Sequence, residues 1–139
     1  MLNAAQAPAE ELNALLEMMF TRWGFTTVFD IASPVGNTLA LRARLEHGEV
    51  RGPRLLTVGQ PLWTHTPIYV VDFFAAHGIA IQPTPTAELA IERVREQAAL
   101  GANGIKLFTG SVQARSVANM SVELVHAAVM AHCMAANLA

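Results

Sequence analysis

This chain of 139 residues contains one cysteine, one lysine and one tyrosine, and only 14% of its residues carry charge. A lone cysteine, Cys133, excludes an internal disulfide and any CxxC zinc or redox motif, so a reducing, cytoplasmic setting is expected. Nine basic residues stand against 11 acidic ones, a net charge of −2. The clustered cations that would neutralise phosphates are therefore missing, and neither nucleic acid nor an anionic membrane is an expected partner. No apolar run approaches the roughly 20 residues that span a bilayer. Residues 1–11 are acidic and Ala-rich, without the positive start and apolar core of a secretory leader. Yet 53% of the chain is hydrophobic and its mean hydropathy is +0.34, so a large apolar surface has to be covered in some other way.

What is present alternates. Residues 8–23 carry Leu12, Leu15, Leu16, Met19 and Trp23 on one helical stripe, with Pro8, Glu10 and Glu11 suited to the first turn and Gly24 to the stop. Residues 25–31 are β-branched and aromatic, as in a strand buried on both faces. A second helix is predicted from Asn37, as N-cap, to His47, with Gly48 as its stop, and a second strand over 54–58. The long connection over 63–85 holds one short helix, over 68–76. A third helix runs from Thr86 as N-cap to Leu100, with Ala87, Ile91, Val94 and Ala98 on one face and Gly101 closing it. The third strand covers 104–109, and after a loop over 110–120 a last helix runs from Ser121 as N-cap to about Asn137.

Strands separated by helices pair in parallel through right-handed crossovers, which places the chain in the α/β class as a single domain over 1–139. About three strands and four or five helices are visible. A complete (β/α)8 barrel needs eight strands and about 250 residues. The texture is that of a TIM barrel at roughly half its length.

Few residues offer chemistry. Lys106, between Ile105, Leu107 and Phe108, lies toward the C-terminal end of its strand, where barrel active sites form. An ammonium there is costly unless paired or neutral. Either a carboxylate such as Asp30 satisfies it, or it serves as Schiff-base former, general base or carbamylated metal ligand. His126 and His132 are six apart and so on different faces of their helix, and no self-contained zinc site is legible. His47 and His77 each precede a helix-stopping glycine and suit terminal carbonyls, whereas His65 follows the second strand and could line a barrel mouth. Residues 101–104 match no phosphate-binding fingerprint, and Ser111 lacks a GxSxG context. Cys133, beside Met130 and Met134, reads as a core residue.

Four ordered blocks carry a family resemblance: Thr-Arg-Trp-Gly-Phe-Thr-Thr-Val-Phe-Asp at 21–30, Asn-Thr-Leu-Ala-Leu-Arg at 37–42, Gly-Glu-Val-Arg-Gly-Pro-Arg-Leu-Leu-Thr at 48–57, and Gly-Ala-Asn-Gly-Ile-Lys-Leu-Phe at 101–108. In this order and spacing they resemble the amidohydrolase superfamily, in particular its imidazolonepropionase-like and prolidase-like branch, over nearly the whole chain. The resemblance implies a metal-dependent hydrolase on a TIM barrel, cleaving C–N bonds in amides, cyclic amides or dipeptides. It also implies that Lys106 matches the lysine that binuclear members carboxylate to bridge two divalent metals, zinc foremost. Carboxylation requires the neutral amine, which an apolar setting favours.

The family's His-x-His pair, its two later histidines and its aspartate have no counterparts in these 139 residues. Lys106 is the one metal-ligand position retained. The expectation is therefore a fragment covering about the second to fourth strand-helix units, catalytically inactive alone, with no catalytic residue and no cofactor of its own. The alternative is a non-catalytic module with a binding or structural role. An incomplete barrel exposes strand edges and an inner sheet face, so in either case a homo-oligomer, a two-fold dimer, is expected.

Overall fold

Phe20 leaves helical geometry at φ −132°, ψ −65°, and the N-terminal region is arranged around that break. The computed structural model describes residues 6–65, 68–110 and 120–136. The first helix, α1 (Ala9–Met19), starts behind Pro8 with Glu10 and Glu11 at the positive end of its dipole. A single 3-10 turn (Thr21–Trp23) follows and closes at Gly24. The helix is thus shorter than the apolar stripe predicts. Leu12 and Leu16 are buried, but Trp23, displaced by the break, is exposed and donates its indole N–H to the Met18 carbonyl at 3.0 Å.

The order continues with β1 (Thr27–Asp30), α2 (Val35–Glu46), β2 (Arg54–Thr57), β3 (Leu62–Trp63), α3 (Ile68–Ala75), α4 (Ala87–Leu100), β4 (Leu107–Phe108) and α5 (Val122–Ala136). β1 pairs with β2 in parallel, from Thr27 opposite Arg54 to Asp30 opposite Thr57. β3 pairs with β4 in parallel, Leu62 opposite Leu107 and Trp63 opposite Phe108. The α/β class and the parallel pairing agree with expectation. The unpredicted element is β3, which prolongs the course of β2 beyond an interruption at Gly59. The Asn103 N–H donates to the Thr57 carbonyl at 2.6 Å and the Leu62 N–H to the Lys106 carbonyl at 2.9 Å, so β4 and the chain before it run beside both segments.

Each strand pair has its own core. Leu12, Leu16, Leu41, Val50 and Leu55 bury the helix-facing side of β1 and β2 under α1 and α2. Leu62, Ala90, Val94, Leu124, Ala128 and Ala131 do the same for β3 and β4 under α4 and α5. The other side of β1 is open, contrary to the reading of residues 25–31 as buried on both faces: Phe25, Phe29 and Ile31 are all exposed.

Caps follow the residue types with one exception. The Thr86 Oγ1 accepts from the Leu89 N–H at 3.3 Å, the Ser121 Oγ from the Leu124 N–H at 3.2 Å, and Gly101 adopts the left-handed conformation that ends α4. At α2 the predicted N-cap Asn37 lies inside the first turn, because the helix begins at Val35 directly after Pro34. Asp30, at the end of β1, organises this entry. Its carboxylate accepts hydrogen bonds from the Ala32 N–H (3.2 Å), the Ser33 hydroxyl (2.9 Å) and the Thr38 hydroxyl (2.6 Å).

The interruption at Gly59 has a specific cause. Gly59 has φ +67°, and a Cβ there would collide with the Gln97 carboxamide of α4. That carboxamide accepts from the Gln60 N–H and donates to the Gln60 carbonyl at 3.0 Å, replacing the strand partners that residue 60 has lost.

Two stability measurements test these contacts. Gly59→Ala should cost at least about 2 kcal/mol in chemical denaturation, because backbone strain and the collision add. Gly48→Ala serves as reference: φ is +72° but nothing lies within 4 Å, so it should cost clearly less. Asp30→Ala should also cost about 2 kcal/mol, since it strands the Thr38 hydroxyl at a buried residue.

Candidate functional site

Side-chain alternation sorts the sheet into two faces. Ile105 and Leu107 pack into the core under α4 and α5, so Gly104, Lys106 and Phe108 turn to the opposite face. A Cβ at Gly104 would meet the Phe29 ring at 3.3 Å and Val58 at 3.4 Å, which shows that Phe29 crosses onto this same face. Trp63 joins it through its register with Phe108. One side of the sheet thus carries three aromatic rings and the chain's only lysine.

The Trp63 and Phe108 rings stack with centroids 3.6 Å apart and planes 11° from parallel. The Lys106 ammonium sits 4.9 Å from the Phe108 ring centroid. Such a cation–π contact is worth about 0.5–1 kcal/mol at a partly exposed site and offsets part of the cost of moving the ammonium out of water. Among the described residues Lys106 has no ion pair. Asp30, the carboxylate that could have satisfied it, points to the other face and is saturated by Ser33, Thr38 and Ala32. Adjacent residues on a strand project oppositely, and Phe29 already occupies the lysine's side.

Past the end of β3 the arrangement offers hydrogen-bond donors. The Trp63 Nε1 and the Thr64 Oγ1 are both buried without a hydrogen-bond partner. An indole N–H can only donate, an ammonium can only donate, and a threonine hydroxyl can do either. No three His, Cys, Asp or Glu side chains gather into a metal-binding group among the described residues. Lys106, the expected remnant of a ligand set, therefore stands among rings rather than among other ligands, and the described residues do not by themselves fit a divalent ion.

The other candidates are dispersed. His65 is exposed two residues beyond β3, and His47 is exposed at the end of α2. The His77 Nδ1 lies 2.8 Å from the Phe73 carbonyl, the helix-terminal role expected of it. His126 is exposed and His132 half-buried on different faces of α5. Cys133 corrects its core assignment: it is exposed. Nine residues separate it from buried Leu124, two and a half helical turns, which puts it on the opposite side of α5. Ser111 lies outside the described residues.

The Trp63–Phe108 stack was the feature least visible in the sequence. Leu62 and Trp63 form an apolar pair between Pro61 and Thr64, too short for any period, and the one signal was a large aromatic two residues after a Gly-x-Pro break. The 101–104 segment, which matches no phosphate-binding pattern, has a structural task. The Asn103 Oδ1 accepts from the Thr57 N–H at 3.1 Å and from Arg42 at 3.2 Å, and Arg42 also reaches the Gly101 carbonyl at 3.1 Å.

No family model and no curated protein matches the sequence significantly. Solved structures do match it. A protein assigned as a prolidase, from Bifidobacterium longum, superposes with a TM-score of 0.67 at 24% identity over 96% of this chain. A Xaa-Pro dipeptidase, whose structure holds methionine in its active site, gives a TM-score of 0.59 at 25% identity, again over 96%. The chain spans 30% and 37% of the lengths of those two proteins. Its fold is that of a stretch within prolidase-like hydrolases.

Proposed function

We propose that this chain is a segment of a prolidase-like, metal-dependent amidohydrolase barrel, an enzyme type that cleaves C–N bonds in amides, cyclic amides or dipeptides. The observation that carries the reading is the likeness to prolidase and Xaa-Pro dipeptidase structures across 96% of the chain. Lys106 lies on the uncovered side of the sheet with Phe29, Trp63 and Phe108, but immediately before β4, whose two residues Leu107–Phe108 are shorter than the strand predicted over 104–109, and so not at that strand's C-terminal end.

By itself the chain does not turn substrate over. The described residues gather no group of His, Cys, Asp or Glu that would hold a metal to activate water. Lys106 would carry no carbamate, because no metal-binding group gathers among the described residues to hold one in place. A second reading, a non-catalytic module that associates with itself, is favoured by one observation: the open face of β1 is apolar.

Incubating the purified chain with Xaa-Pro dipeptides and added zinc or manganese should release no amino acid above the buffer control. Hydrolysis accompanied by stoichiometric bound metal would overturn the inactivity. Native mass spectrometry in CO2-saturated buffer should show no addition of about 44 Da. Lys106→Met should change unfolding free energy by less than about 1 kcal/mol. A loss of about 3 kcal/mol or more would point instead to a buried ion pair.

A further inference from the structure

We infer that the free edge of β1 is a self-association surface, on which a second copy of this chain adds its own β1 antiparallel about a two-fold axis at Val28. The inference belongs to the second reading above, a module that associates with itself, because an intact barrel would pair this edge with its own neighbouring strand. Arg54 donates to the Thr26 carbonyl at 2.8 Å and Val58 to the Asp30 carbonyl at 3.0 Å, so the even-numbered residues of β1 face β2. The N–H and C=O groups of Thr27 and Phe29 consequently face the other edge, and β2 is the one strand paired with β1 among the described residues.

A two-fold axis at Val28 matches that pattern. Thr27 then lies opposite Phe29 of the second copy as a hydrogen-bonded pair, Phe29 lies opposite its Thr27, and the two Val28 residues form the non-hydrogen-bonded pair between them. The side chains agree as well. Phe25, Phe29 and Ile31 are 55%, 49% and 51% exposed, and this register brings each Phe25 against an Ile31 and each Phe29 against a Thr27. Asp30 falls opposite Thr26 of the other copy, so the edge's only charge meets no like charge, and this carboxylate is already occupied by Ser33 and Thr38. No lysine or proline guards the edge over 25–31.

The area suffices. A groove of about 260 Å3 lies against the same strand, lined by Met19, Phe20, Val28, Phe29 and Leu41. Met19, Phe25, Phe29 and Ile31 each leave about half of a large side chain uncovered; with the strand backbone this amounts to roughly 500 Å2 per copy. Two copies together reach on the order of 1,000 Å2, where specific interfaces begin.

Light scattering on the intact chain at about 10 μM should give twice 14.9 kDa. In a Cys133→Ser background, Val28→Cys should form an intermolecular disulfide under mild oxidation, because a central non-hydrogen-bonded pair brings the two Cα atoms within bridging range. Thr27→Pro, which removes an edge donor, and Phe25→Lys, which places a charge on the edge, should each give a monomer with an unchanged far-UV spectrum. A monomeric wild-type chain overturns the inference. So does a dimer that survives both edge variants with no crosslink at position 28, which would place the contact elsewhere, as on the outer side of α5.

Discussion

Asn103 holds the two halves of the molecule together. Its backbone N–H and its side-chain oxygen grip the carbonyl and the N–H of Thr57, and Arg42 binds the same oxygen from α2. Both donors require an acceptor, which fixes the orientation of the amide. The clasp joins the α1–α2 core to the α4–α5 core, each of which alone is below the size at which a domain is stable. Gln97 repeats the device one turn of chain later, through Gln60. Two side-chain amides thus stand in for ladder hydrogen bonds where Gly59 interrupts the strand. A buried polar contact that replaces a lost backbone bond cannot be exchanged for an apolar one, because the peptide groups it satisfies would remain.

Helices were legible because their signals are local. Thr86 and Ser121 cap, Gly24 and Gly101 stop, and the apolar spacing between them follows the helical period. Three features depended on longer-range facts. Phe20 ends α1 although its spacing continues, and Trp23 leaves the stripe as a result. β3 has two residues and exists because Gly59 and Gln97 divert the chain beside β4. The exposure of one side of β1 could not be read from 25–31, since a strand covered on both faces and one awaiting cover have the same composition.

The candidate site divides in the same way. Lys106 stood out as the chain's sole lysine amid apolar neighbours, and parity alone places it opposite Ile105 and Leu107. Its relation to Asp30 required knowing which face Phe29 takes, and the contact with Gly104 decides that. The pairing with Trp63 required β3. Cys133 shows the reverse error: Met130 and Met134 beside it suggested a core, but the buried stripe of α5 runs through Leu124, Ala128 and Ala131 on the far side.

The β1 edge and the outer side of α5 are both apolar and open to water, yet they are not equivalent. A helix satisfies its own backbone, so Val129, Met130 and Met134 expose only hydrocarbon, at a cost proportional to area. The edge of β1 presents hydrocarbon together with peptide groups that have directional valence. Those groups favour one strand alignment over sliding contact, whereas the α5 surface has no register to impose. With 14% charged residues to keep surfaces apart, specificity has to come from geometry, and the edge of β1 is one place among the described residues where geometry supplies it.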